Sequence, residues 1–157
     1  MDSTALRVAY DRFLEAAALP DLGPASDGGW DADQVLAHVL SVDAGIAAVA
    51  LGVVSGARPG FDNRIGLDVA NLARIVADHP GRNGLVDAVR GQGAVLCDVA
   101  DRLGDRDAAV PVPTLLLSDG VVLVDQPLPL GGLIDGLAAD HLPRHTQQLL
   151  DLRWPGS

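Results

Sequence analysis

The stretch from Ile134 to Leu152 constrains the fold more than any other part of the chain. Its apolar residues recur with the spacing of one helix face, and His141, His145 and Gln148 fall on that same face. A helix with this pattern has to pack against other elements, because one side of it is apolar. The same packing directs two imidazole rings toward the interior. The apolar positions are Ile134, Leu137, Ala138, Leu149 and Leu152.

His141 and His145 are four residues apart. Helical side chains at that spacing have Cβ atoms about 5–6 Å apart, so two rings can converge on one metal ion. Two imidazoles do not complete a coordination sphere, and a third ligand must come from another element. The alternative is an ordinary pair of core histidines satisfied by hydrogen bonds, because a motif this short also arises by chance.

Glycine and proline divide the rest of the chain into helical segments. Apolar periodicity predicts helices over residues 3–19 and 31–55, a shorter one around residues 67–76, one from residue 83 to Gly104, and a last one from about residue 130 to Arg153. Asp31 and Gln34 have the spacing of a capping box at the start of the second helix. His38 lies on the apolar face of that helix.

Residues 110–130 carry a different signal. Two apolar arms, residues 114–117 and 121–124, flank Asp119-Gly120, which predicts a β-hairpin. Because both arms are apolar throughout, we expect helices or another subunit to cover them. The predicted fold class is all-α: a four-helix bundle with one extra short helix and a small β-hairpin before the last helix, formed as a single domain over residues 1–157.

Composition narrows the function classes. The chain has 157 residues, 48 % of them hydrophobic, which suits one globular domain with its own core. A net charge of −10 with no lysine argues against nucleic acid and against an anionic membrane surface. The lone Cys97 and the absence of an apolar run of about 20 residues predict a cytoplasmic protein. The Asp, Arg, Ala and Gly bias is typical of a GC-rich genome.

A metal site can be assembled from these elements. If the second and last helices are neighbours, His38, His141 and His145 meet inside the bundle. Three protein ligands and one open position are typical of a reactive site, whereas structural zinc normally has four protein ligands. Imidazole suits Zn, Ni, Fe or Cu, and we expect zinc or nickel. Gln34 and Gln148, each one turn from a histidine, are candidates to orient the ligands or a bound water.

With these motifs the chain resembles the DinB-like family of metal-binding helical bundles. The resemblance rests on Trp30 before the second helix, on His38 in VLAHVL, and on HLPRHTQQL at residues 141–149. It implies a metal ion bound by His38, His141 and His145, and a homodimer. Relatives include transferases and isomerases that use mycothiol or bacillithiol, and metal-dependent hydrolases.

The expected function follows from the open site. A metal held there would activate a thiol or water for attack on a small-molecule substrate, most simply as a mycothiol-type S-transferase or isomerase. A hydrolase and a non-catalytic, stress-related metal binder are the alternatives. In the mycothiol-dependent maleylpyruvate isomerase branch the position of His141 is typically Glu, so that substrate is not carried over. Pro143 is expected to kink the helix between the paired histidines.

Three other residues are expected to be structural. His79 precedes Pro-Gly and is predicted to sit at a helix end, where the helix dipole favours it. Cys97 has no basic neighbour in sequence that would activate it and is predicted to be a small buried residue. Trp30 is predicted to belong to the core.

Overall fold

A computed structural model of the chain describes residues 1–25 and 28–153, and within them it contains eight α-helices, one π-helical turn and five short strands. The α-helices are α1 (Thr4–Ala17), α2 (Ala32–Val54), α3 (Arg64–Leu67), α4 (Val69–Ala77), α5 (Gly81–Arg102), α6 (Asp105–Ala108), α7 (Leu130–Gly136) and α8 (Leu142–Asp151), with the π turn over Leu137–His141. The strands are β1 (Phe61–Asp62), β2 (Pro111–Val112), β3 (Thr114–Ser118), β4 (Val121–Asp125) and β5 (Leu128–Pro129).

The long helices enclose the core. α2 packs along α5, α1 packs on α5 and on the last helical segments, and α8 also contacts α2. Their facing side chains are fully buried, and each such aliphatic side chain contributes about 1.5–3 kcal/mol through its removal from water. The second and last helices are therefore neighbours, as the predicted site of His38, His141 and His145 requires. The largest buried side chains include Phe13, Leu36, Leu72, Leu85, Leu96, Leu130 and Leu142.

α2 is the central helix of this core. Its start is fixed by the predicted capping box: the Asp31 side chain accepts from the Gln34 backbone N–H at 2.9 Å, and Gln34 Oε1 accepts from the Asp31 N–H at 3.0 Å. By length and hydropathy alone this helix could cross a membrane, with a mean hydropathy of 1.9 over its most apolar window. Over half of that window is buried against other helices of the chain, as in a core helix.

The last helical rod is not one regular helix. α7 passes into the π turn Leu137–His141 and then into α8 without leaving helical backbone angles. Pro143 supplies the physical reason: it has no N–H to donate to the carbonyl of Ala139, four residues earlier, so the regular α-helical pattern is interrupted there. The expected disturbance at Pro143 therefore takes the form of a widened turn.

The all-α fold class is wrong, because the described residues contain two sheets. β1 pairs parallel with β3, β3 pairs antiparallel with β4, and β2 pairs antiparallel with β5. Besides the long rods there are three short helices, α3, α4 and α6, where one was expected. The missed strands are two residues long, which is too short to show a period of two, and they pair with partners far away in sequence.

The hairpin itself lies where Asp119-Gly120 predicts it. Both turn residues have positive φ angles, 50° and 76°, as a two-residue type I′ turn requires. The helices of the same chain cover only part of the hairpin. Leu116 of β3 packs against the core, whereas Val121, Val122 and Leu123 of β4 are 60 %, 54 % and 54 % exposed. Cover by another subunit stays a prediction.

Candidate metal centre

Three histidines from two helical rods meet in the core. His38 comes from α2, His141 is the last residue of the π turn, and His145 lies one turn into α8. One ring nitrogen from each lies within 4.8 Å of the other two, and the Nε2 atoms of His38 and His141 are 3.1 Å apart. Ligand nitrogens around a tetrahedral zinc are about 3.3 Å apart, given Zn–N bonds of 2.0–2.1 Å. The cluster is thus close to the size of a metal coordination sphere.

Hydrogen bonds fix the orientation of two of the rings. His38 Nδ1–H donates to the backbone carbonyl of Gly66 at 2.6 Å, and His145 Nδ1–H donates to Gln148 Oε1 at 2.8 Å. Carbonyl oxygens only accept, so the proton of each ring is on Nδ1 and the Nε2 lone pair is free. Both Nε2 atoms are thereby prepared as metal ligands.

The third ring is held differently. His141 Nδ1 is buried and has no hydrogen-bond partner among the described residues, while its Nε2 lies beside His38 Nε2. Because His38 Nε2 carries no proton, His141 Nε2 is the donor of that contact. His141 is also less buried than His38 and His145, which are 4 % and 8 % exposed.

Burial keeps the cluster neutral. It lowers the pKa of His38 to about 4, with the neighbouring His145 contributing in the same direction. Burial likewise lowers the pKa of His141 and of His145, and in His141 the two other imidazoles add to the effect. Neutral imidazole is the form that binds metal, so none of the three rings has to lose a proton at neutral pH, although His141 has to move its proton from Nε2 to Nδ1.

Trp30 belongs to the surroundings of this cluster. Its ring centroid is 4.8 Å from that of His38 and 6.4 Å from that of His145. The side chain packs against the core as expected, but its contact with the rings was not predicted. A tryptophan just before the N-cap of a helix that carries a histidine two turns later is the signal that could have indicated it.

The two glutamine candidates behave differently. Gln148 contacts His145, as a residue that orients a ligand must. Gln34 Oε1 is engaged by the start of α2, so its oxygen serves the capping box. The orienting group of His38 is instead the carbonyl of Gly66, and an added Cβ at Gly66 would lie 3.1 Å from Val42 Cγ2. No motif could have found it, since a backbone carbonyl leaves no trace in the sequence.

The remaining candidates are structural, as predicted. His79 lies at the end of α4, where its Nδ1 contacts the carbonyl of Ile75 at 2.7 Å, outside the cluster. Cys97 is buried in the core, and burial raises the pKa of its thiol to about 11, so it is not an activated nucleophile.

A cleft of about 370 Å³ lies between α2 and the segment from β1 to α3. It is lined mainly by apolar groups, including Val42, Phe61 and Ile65. Gly66 separates it from the Nδ1 side of His38, so it does not border the converging Nε2 atoms.

Comparison of the chain with known protein families, with characterised proteins and with solved structures finds no match. The assignment of this site rests on the residues described above.

Proposed function

We propose that this protein binds one divalent metal ion, zinc or nickel, through His38, His141 and His145. The observation that supports it most is the convergence of three buried, neutral imidazoles, two of them with the Nε2 lone pair free and the opposite nitrogen anchored. Leaving such rings without a common ligand would bury polar groups at a cost in stability. An ion held by three protein ligands keeps at least one position open.

We further propose that the open position serves catalysis. A divalent ion there supplies Lewis-acid activation of a thiol or of water near neutral pH. His38 and His145 hold the site in a fixed orientation through Gly66 and Gln148. The Trp30 ring lies beside the His38 and His145 imidazoles. On that side it would limit the access of water to the ion, which favours a reaction that needs water excluded.

The proposed co-substrate is a low-molecular-weight thiol of the mycothiol type, and the proposed activity is S-transfer or isomerisation of a small electrophile. The support is the resemblance to DinB-like proteins, in the order Trp30, His38 and HLPRHTQQL. With it we propose a cytoplasmic homodimer that binds neither nucleic acid nor membranes, in keeping with the net charge of −10.

Metal content tests the first part of the proposal. The untagged protein is dialysed against zinc and against nickel, and bound metal is measured by elemental analysis. We expect one ion per chain, its loss in His38→Ala, and its retention in His79→Ala, the matched control from outside the cluster. Circular dichroism shows whether each variant is folded. A wild-type chain without stoichiometric metal, or a folded His38→Ala that retains it, contradicts the proposal.

Thiol chemistry tests the second part. Zinc-loaded protein is incubated with mycothiol and chlorodinitrobenzene, in which a carbon–sulfur bond forms, chloride leaves and the thiol proton passes to solvent. We expect thioether formation above the rate given by His38→Ala. Hydrolysis of an ester panel without thioether formation would identify a hydrolase, and bound metal with neither reaction would identify a non-catalytic binder.

A further inference from the structure

We propose that the three ligands are unequal and that His141 is the exchangeable one. An incoming donor takes its coordination position, while His38 and His145 keep the ion in place. This inference rests on the proposed metal site and adds a second position to its open one: the ion could hold water or substrate at the open position while a thiol takes the place of His141.

The first observation is the difference in anchoring. His38 is fixed by the Gly66 carbonyl at 2.6 Å and His145 by Gln148 Oε1 at 2.8 Å. His141 Nδ1 is buried with no partner in the described part of the chain. Metal-ligating histidines almost always donate their second ring N–H to an acceptor, which fixes the ring and raises its basicity. His141 has no such support.

The second observation concerns the proton of His141. Its Nε2–H donates to His38 Nε2, 3.1 Å away, so in this arrangement the proton is on the nitrogen that faces the cluster. Binding a metal through Nε2 moves that proton to Nδ1, where it would be buried without an acceptor among the described residues. His38 and His145 bind without any such change, because their protons are already on Nδ1.

The third observation is the backbone. His38 and His145 lie within regular α-helices, whereas His141 ends the π turn Leu137–His141, two residues before Pro143. A π turn inside a helix is a local departure from the optimal hydrogen-bond pattern and is frequent at functional sites. The His141 residue as a whole is partly exposed, although its Nδ1 atom is buried. The anchoring, the proton position and the backbone all single out His141 as the ligand that exchanges most easily.

The exchange is a simple ligand substitution. The thiol sulfur would replace the His141 nitrogen on the ion, the thiol proton would pass to solvent, and no atom would change oxidation state. The two anchored histidines, His38 and His145, would retain the ion.

The test follows ring nitrogens by NMR. Protein labelled with ¹⁵N-histidine is loaded with zinc and titrated with β-mercaptoethanol. We expect the His141 ring signals to move toward free-imidazole values, while the His38 and His145 signals stay at their metal-bound values. The inference is overturned if all three rings stay bound, or if His38 or His145 is released first.

Zinc affinities give a second readout. We expect His141→Ala to lose only about ten- to hundredfold in zinc affinity, the range typical of losing an outer-shell partner, and to regain it with added imidazole. We expect His38→Ala and His145→Ala to lose more and not to be rescued. Equal losses in all three variants overturn the inference and leave the proposed metal site intact, whereas a wild-type chain that binds no zinc overturns both.

Gln148 provides the matched comparison. Gln148→Ala removes the anchor of His145, so we expect thiol to release both His141 and His145 in that variant. Gln147→Ala is the control, because Gln147 is on the exposed face and donates to Asp151 instead. If Gln148→Ala behaves like Gln147→Ala, anchoring does not decide which ligand exchanges and the inference fails.

Discussion

The three-histidine cluster and the Asp43–Tyr10 pair are buried in the same helical core, but they differ in the hydrogen-bond partners and lone pairs that surround them. The histidine cluster brings three ligating nitrogens together, two of them on anchored rings. About a turn and a half along α2, Asp43 lies close enough to Tyr10 of α1 for the two groups to shift each other's pKa. Neither side chain makes a hydrogen bond of standard geometry to a described residue. Asp43 is 0 % and Tyr10 5 % exposed. Burial alone therefore does not mark a binding site.

The difference lies in the number and direction of donor atoms. The cluster offers several lone pairs to one point, so a cation can replace the water that the rings have lost. Asp43 offers a single carboxyl, and burial raises its pKa to about 7. By keeping its proton, the carboxyl avoids the free-energy cost of burying a negative charge. From the histidine cluster we therefore expect a bound metal ion, whereas from Asp43 we expect a fold whose stability depends on pH.

The largest effect is expected from removing an anchored ligand. His145→Ala should lower zinc affinity by more than about a hundredfold, because a binding free energy of roughly 10–16 kcal/mol is shared among only a few ligands. Competition with a chromophoric chelator measures the loss, and His79→Ala is the control. Unchanged affinity in His145→Ala would remove His145 from the site.

Asp43→Asn should remove most of the pH dependence that the buried carboxyl gives to the free energy of unfolding. The pKa of Asp43 is 3.8 unfolded and about 7 folded, so between these values the folded state holds more protons and stability falls as pH rises. At about 1.36 kcal/mol per unit, the wild type should lose about 4 kcal/mol relative to Asp43→Asn between roughly pH 4 and 8. Urea unfolding across this range measures it. Asp11→Asn, an exposed acid on α1, should keep the wild-type pH slope, and an unchanged slope in Asp43→Asn would contradict the account.

Gly66→Ala should weaken zinc binding by His38 indirectly, through the carbonyl that orients its ring. The added Cβ would lie 3.1 Å from Val42 Cγ2 and 3.5 Å from His38 Nδ1, so the Val42 side chain or the backbone at Gly66 has to shift by a few tenths of an ångström. A shift of that backbone would displace the carbonyl that anchors His38. We expect a loss of about 1–3 kcal/mol in unfolding free energy and about a tenfold loss in zinc affinity.

Gly91→Ala is the control for that substitution. Nothing lies within 4 Å of a Cβ at this position in α5, so alanine should stabilise the helix by about 0.5–1 kcal/mol and leave zinc affinity unchanged. Equal zinc affinities in the two variants would show that the Gly66 carbonyl does not position His38.

The smallest effect is expected from Tyr10→Phe. The hydroxyl is buried and makes no hydrogen bond of standard geometry to a described residue, so its removal should change the free energy of unfolding by no more than about 1 kcal/mol. Urea unfolding at neutral pH measures it. A loss above about 2 kcal/mol would mean that the Tyr10 hydroxyl makes a strong hydrogen bond in solution, so that the Asp43 carboxyl has a partner as the anchored histidines do.

The sequence was sufficient where the signal is local. Helical periodicity located the long helices, Asp31 and Gln34 predicted the capping box, and Asp119-Gly120 located the hairpin turn. The three histidines were predicted to share a site, and they converge because α2 and α8 are in fact neighbours.

The sequence was insufficient for strands that pair with residues far along the chain and for contacts made by backbone atoms. β1 is two residues long and pairs with β3 some fifty residues later, so the sheet and the true fold class could not be read from periodicity. The Gly66 carbonyl has no sequence signature, and the meeting of Tyr10 with Asp43 depends on how α1 packs against α2. The π turn follows from Pro143, but its length and position do not.

X-ray absorption at the zinc edge of the loaded protein examines the three-histidine site itself. We expect three imidazole nitrogens at about 2.0–2.1 Å and one further light ligand, in a four-coordinate site. A shell with fewer than three imidazoles, or one made mainly of carboxylate oxygens, would contradict it.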